Sequence, residues 1–196
     1  MDWDPRYLYR KLFPDDELAM EKFLEEVDFI GWNQLQDAGR SFVDGVTELC
    51  AEFPQYCDLI RAYDDRWLES LAGPIWPTVE ILVRLKSEGY PLFGLSNWSL
   101  EKFALVKNNY QFFGWFEDIL LSGQVRLNKP DKRIFRLLLD RIGKPAEECL
   151  LIDDSEINII VAREIGLDTI HFLSAEQLKL ELCARKILNS FISRIS

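Results

Sequence analysis

Three short stretches of this chain place residues capable of chemistry directly after apolar runs. PLFGL leads into Ser96, Asn97, Trp98 and Ser99. DILL leads into Ser122 and Gly123, with Lys129 and Pro130 a few residues further on. CLLI leads into Asp153, Asp154 and Ser155. In chain order this gives a hydroxyl and an amide, an ammonium, and two adjacent carboxylates. Each has a plain structural reading. Ser96 suits a turn, and Lys129 suits a solvated surface. A lysine at a helix start nevertheless opposes the helix dipole, and makes better sense facing an anion. Two neighbouring carboxylates repel unless a cation or hydrogen-bond donors compensate. A Mg²⁺ site accounts for Asp153 and Asp154 better than a helix cap does, because Mg²⁺ takes one or two carboxylates together with substrate phosphate oxygens.

The elements that must position these residues alternate. Thr78–Glu88 carries Val79, Leu82, Val83 and Leu85 on one helical face, with Gly89 to end it. Pro91–Leu95 reads as a strand, Ser99–Asn109 as a helix, Asp118–Leu121 as a strand and Pro130–Ile142 as a helix closed by Gly143. Cys149–Ile152 (strand), Glu156–Ile165 (helix), Thr169–Phe172 (strand) and Ala175–Ser190 (helix) complete the series. This alternation predicts an α/β fold with a parallel sheet covered on both faces. In such sheets ligands bind beyond the carboxyl ends of the strands, where the three clusters lie. Before Pro74 the pattern is helical throughout. Asp15 or Asp16 caps ELAMEKFLEEV, and Pro54 separates DGVTELCAEF from QYCDLIRAYDDRWLESL. No strand is expected in that block.

The 196 residues suffice for one core with a small inserted block. A net charge of −10 argues against a nucleic-acid partner. No apolar run reaches the roughly 20 residues of a membrane span, and the N-terminus lacks the order of a signal peptide. Cys50, Cys57, Cys149 and Cys183 form no CxxC pair and read as reduced thiols of a cytoplasmic protein. His171 is the only histidine, which argues against zinc and against a histidine-based triad.

Taken together, LSNWS, NKPDKRIF and LLIDDSEIN resemble the second, third and fourth motifs of the haloacid dehalogenase superfamily of hydrolases. The resemblance implies a Rossmann-like core over 1–11 and 75–196, with an inserted all-helical cap over 12–74. It implies a reaction through an aspartyl intermediate, with Ser96 and Lys129 catalytic. Ser96, Asn97 and Lys129 would bind substrate, and Asp153 and Asp154 would hold Mg²⁺. The implied substrate is a small anionic molecule, foremost a phosphorylated metabolite. Two alternatives stay open: a metal-free 2-haloacid dehalogenase, and a catalytically dead relative that binds a ligand or partner. In and next to the cap, Arg6, Arg10, Trp32, Gln36 and Arg40 are candidate substrate-facing residues, against the plainer reading of packing and solvated surface.

The opening MDWDPRYLYR carries two carboxylates, Asp2 and Asp4. The first motif of that superfamily is an aspartate preceded by an apolar strand, and only Met1 precedes Asp2. DWDPRYLYRKLF resembles the segment just after that motif, at the entrance to the cap. The expectation is therefore that the central first strand and its nucleophilic aspartate lie upstream of Met1, roughly a dozen residues earlier.

Overall fold

The computed structural model describes residues 1–189. The described residues divide into two compact units. One comprises Met1–Ile75, Leu95–Phe113 and Leu120–Asn128; the other comprises Trp76–Gly94, Gly114–Ile119 and the described residues from Lys129 onward.

The first unit is mostly helical. It contains β1 (Asp2–Trp3), α1 (Arg6–Tyr9), α2 (Glu17–Glu26), α3 (Phe29–Asp37), α4 (Phe42–Glu52), α5 (Cys57–Asp65) and β2 (Leu71–Gly73). Asp16 caps α2 by accepting from the Ala19 N–H, and Ser41 caps α4 by accepting from the Asp44 N–H. Its core is aromatic. Tyr9, Phe23, Phe29, Trp32, Phe42 and Tyr63 are buried together, with Tyr9 edge-on to Phe23 at 5.0 Å and Phe29 edge-on to Tyr63 at 4.7 Å.

Two expectations for this block are corrected. First, β1 pairs antiparallel with β2, so strands do occur before Pro74. They span two and three residues, too few to show a two-residue period. Second, Cys50 and Cys57 are paired as a disulfide, which leaves Cys149 and Cys183 as the free cysteines. The turn at Phe53–Pro54 folds the end of α4 back onto the start of α5. That brings two cysteines seven residues apart to a Cα separation of 4.6 Å.

The remaining elements are α6 (Trp76–Ser87), β3 (Phe93–Ser96), α7 (Leu100–Val106), β4 (Asp118–Leu121), α8 (Ser122–Val125), α9 (Lys132–Ile142), β5 (Leu150–Asp153), α10 (Glu156–Glu164), β6 (Asp168–His171) and α11 (Ala175–Ala184). The strand–helix alternation is that of a Rossmann-like α/β fold. Among the described residues the sheet consists of two separate pairs, β3 with β4 and β5 with β6. β5 and β6 run parallel, with Leu151 opposite Thr169 and Asp153 opposite His171. In the second unit Ile81, Leu85, Leu92, Ile170, Leu178 and Leu182 form the buried core. Gly94 is required by proximity: a Cβ there would stand 3.1 Å from Ile119 Cγ2.

Element boundaries shift where caps intervene. Asp131, not Pro130, starts α9 by accepting from the Arg133 N–H, and Gly143 ends the helix at φ +68°. The last helix ends at Ala184 rather than Ser190, and Ser190 itself lies outside the described residues.

Candidate active site

In the second unit the apolar strand β5 ends on Asp153, which is 7% exposed. Its carboxylate is held from three directions. Oδ1 accepts from the Ser155 N–H at 2.9 Å and from the Asn158 side-chain amide at 2.9 Å. Oδ2 accepts from Lys129 Nζ at 2.6 Å. The Asp153 carbonyl accepts from the Phe172 N–H at 2.8 Å. Ser155 is the N-cap of α10 yet makes no side-chain cap bond. Asp153 instead ties the start of α10 to the end of β5 through the Ser155 N–H and the Asn158 side chain.

The lysine expected to face an anion does so. Lys129 and Asp153 form an ion pair whose side chains are 11% and 5% exposed. Charge-assisted bonds of this length are roughly twice as strong as neutral ones. Asp154 differs from its neighbour. It is exposed, and the His171 ring nitrogen Nε2 lies 3.0 Å from its backbone carbonyl. The repulsion between adjacent carboxylates is relieved by turning one into a buried ion pair and the other to solvent.

In the first unit Ser96 and Asn97 are half-buried on the segment leaving β3. The loop after them is tied down. The Ser99 N–H donates to Asp37 Oδ1 at 3.1 Å. The Trp98 N–H donates to Ser122 Oγ at 2.9 Å, and that hydroxyl donates to the Asp37 carbonyl at 2.5 Å. Ser99 also caps α7 by accepting from the Lys102 N–H. Asp37 Oδ2 accepts from the Asn33 amide at 3.1 Å. Burial drives the Asp37 carboxyl up to about 7, against the opposing pull of the Ser99 N–H.

The structure thus brings Lys129, Asp153 and Asn158 together, with Asp154 adjacent in sequence. It places Ser96 and Asn97 in the other unit, on a segment whose Ser99 N–H is held by Asp37, a carboxylate that reading the sequence missed. Asp37 is the last residue of α3, where the dipole disfavours an anion, but the end of that helix is not among the elements read from sequence.

The five substrate-facing candidates are engaged within the first unit. Arg6 grips Glu21 through two bonds of 2.5 and 2.7 Å. Arg10 lies 3.4 Å from Glu17. The Trp32 indole donates to the Gly45 carbonyl, the Gln36 amide donates to the Trp32 carbonyl, and Arg40 joins Gln36 to Glu48. A cleft of about 400 Å³ lined by Trp32, Leu35, Arg40, Glu48, Leu49 and Phe53, among others, opens beside them. Asp2 accepts from the Tyr7 hydroxyl and Asp4 from the Arg6 N–H, so both opening carboxylates have local structural partners.

(S)-2-haloacid dehalogenase of Pseudomonas putida is 29% identical over 93 residues, 47% of this chain and 41% of that protein. Flavin mononucleotide hydrolase 1 of Arabidopsis thaliana, a chloroplast protein, is 25% identical over 174 residues, 87% of this chain and 57% of that protein. The chain therefore spans about half the length of these curated relatives. The fold matches a haloacid dehalogenase family enzyme of Bacteroides thetaiotaomicron at a TM-score of 0.64 and 23% identity, over 86% of this chain and 85% of that one. The family model for haloacid dehalogenase-like hydrolases matches residues 6–166, and the chain belongs to that family.

Proposed function

We propose that the chain is a Mg²⁺-dependent phosphatase of a small phosphorylated metabolite. The observation that carries this reading is the carboxylate pair at the end of β5, with Asp153 buried and fixed and Asp154 exposed beside it. A displacement at carbon needs no cation, so an acidic pair there would be idle in a dehalogenase. The flavin mononucleotide hydrolase relative supports the phosphate reading, as does a Bacteroides thetaiotaomicron structure in complex with magnesium and inorganic phosphate.

The donor set fits Mg²⁺. Among the described residues no cluster of three His, Cys, Asp or Glu side chains could form an all-protein cage. Mg²⁺ does not ask for one, since it keeps several waters and binds through one or two carboxylates plus substrate phosphate. Asp153 and Asp154 would hold it, and when bound it would neutralise charge on the phosphoryl oxygens. Lys129, fixed by Asp153, would offset negative charge as it develops. Ser96 and Asn97 would hydrogen-bond the transferred group. The helical block 12–74 would select the substrate over a core of 1–11 and 75–196. No described residue is assigned the attacking carboxylate. A cytoplasmic setting suits the free thiols of Cys149 and Cys183, while the Cys50–Cys57 pairing points toward an oxidising one.

A second reading has its own observation. Both Asp153 oxygens already have partners in Lys129, Ser155 and Asn158, a filled set that would serve a metal-free dehalogenase. Thermal melts separate the two. For the phosphatase, Mg²⁺ with orthophosphate at about 100 times the dissociation constant adds about 2.7 kcal/mol, roughly 5–10 °C. Asp154→Asn, at an exposed position, should abolish the Mg²⁺-dependent part without lowering the basal melt. Stabilisation by (S)-2-chloropropionate without Mg²⁺ would favour the dehalogenase. No response to either would leave a binding relative.

A further inference from the structure

The first unit contains a clamp that the family reading does not call for. We propose that Asp37 is the positioning residue of the Ser96–Ser99 loop, fixing the main chain from which Ser96 and Asn97 present their side chains. The proposal rests on the reading that this loop holds substrate.

Asp37 holds two successive amides of the loop at once. Its carboxylate accepts the Ser99 N–H directly, and its carbonyl accepts Ser122 Oγ, which in turn accepts the Trp98 N–H. Ser99 is 3% exposed and Ser122 is fully buried, so water does not compete for these bonds.

The loop is pressed from another side by Gly123. A Cβ on that residue would stand 3.0 Å from the Leu100 nitrogen and 3.1 Å from both Ser99 Cα and the Trp98 oxygen. The Gly123 N–H also donates to that Trp98 oxygen at 3.3 Å. Gly39, at φ +95°, lets the chain turn two residues after Asp37, and its own Cβ would stand 3.0 Å from the Gly123 oxygen. Any larger residue at Gly123 has only backbone to displace, and at Gly39 it meets the Gly123 oxygen and Arg126 Cγ, the latter at 3.1 Å.

The second oxygen of Asp37 is fixed from the core. The Trp3 and Trp67 indoles donate to the Tyr63 hydroxyl, which donates to Asn33 Oδ1, and the Asn33 amide donates to Asp37 Oδ2. The carboxylate cannot swing away without breaking a buried network. A half-buried loop would not need an acid at an unfavourable helix end merely for solubility. One residue thus serves both amides, the Ser99 N–H through its side chain and the Trp98 N–H through its main-chain carbonyl and Ser122.

The test uses hydrogen exchange of the Trp98 and Ser99 amides together with the dissociation constant for orthophosphate in the presence of Mg²⁺. Asp37→Ala and Ser122→Ala each remove one arm of the clamp, so a folding failure of one leaves the other to be read. Both should raise exchange at Trp98 and Ser99 at least tenfold, with no change in the amides of α9 and α10, and weaken phosphate about tenfold. Asp37→Asn keeps an acceptor and should restore most of both. Unchanged exchange, or raised exchange with phosphate affinity intact, overturns the positioning role. Raised exchange in a protein whose wild type binds no phosphate upholds the clamp and sinks the phosphatase reading alone.

Discussion

Lys129→Met isolates the ion pair at the candidate site. Methionine keeps most of the apolar stem and removes the ammonium that lies 2.6 Å from Asp153 Oδ2. Breaking a buried pair from one side costs about 3–5 kcal/mol, because the partner's charge stays behind. Here the low end applies. Oδ1 keeps its two donors, the Ser155 N–H and the Asn158 amide, and hydrogen bonds to a charged group contribute about 1.5–3 kcal/mol each. The expected loss is therefore about 3 kcal/mol, a drop in Tm of roughly 6–12 °C for a chain of this size. Thermal and urea melts followed by far-ultraviolet circular dichroism would measure it. The double variant Lys129→Met with Asp153→Asn removes the stranded charge while leaving an oxygen for Ser155 and Asn158. It should be more stable than Lys129→Met alone. A loss below about 1 kcal/mol for Lys129→Met would place the pair with surface ion pairs. A double variant weaker than the single would show that Asp153 is held by its backbone and amide donors, with the lysine incidental. Either result would refute the reasoning.

Asp37 predicts a pH dependence. Its carboxyl is raised from 3.8 to about 7 in the folded chain, so between those values the native state keeps a proton that the unfolded state has released. Stability must then fall as pH rises through that window, by at most about 4 kcal/mol from this group. Asp37→Asn should flatten the slope in urea melts between pH 4 and 7, and an unchanged slope would assign it elsewhere. Thiol titration of the denatured, unreduced protein should find two free cysteines, Cys149 and Cys183. Reduction should cost about 2.5 kcal/mol in the chain-entropy account of so short a loop, whereas four free thiols would restore the reading from sequence. Gly94→Ala puts a methyl 3.1 Å from Ile119 Cγ2 and should cost about 1–3 kcal/mol by overpacking, read as a lower urea midpoint at constant slope.

The strands that carry the site are legible because each is an apolar run stopped by polar residues. β4 is expected and found at Asp118–Leu121. β5 is expected to end at Ile152 and ends at Asp153, because the Asp153 carbonyl still takes the Phe172 N–H and the residue pairs with His171. β3 is expected from Pro91 and starts at Phe93, past a residue that has no N–H to donate. The features that cannot be read lie across long separations. β1 and β2 are too short to carry a period. Nothing local announces that Ser99 will donate to a residue 62 positions earlier, or Ser122 to one 85 positions earlier.

Yet the chain marks both Lys129 and Asp37 by breaking the same local rule. Lys129 precedes the start of α9, where the dipole favours an anion, and Asp37 ends α3, where it favours a cation. Each violation costs some tenths of a kcal/mol to about 1 kcal/mol on its own. Each is resolved only by a partner that folding supplies: Asp153 for the lysine, the Ser99 N–H and the Asn33 amide for the aspartate. A helix-end charge of the wrong sign carries more information than its neighbours, because local structure gives no reason to keep it. On that logic the lysine is traceable to an anion from sequence alone, and the aspartate to donors once the end of α3 is known. The residues to mutate first in this chain are therefore those whose charge opposes their own helix.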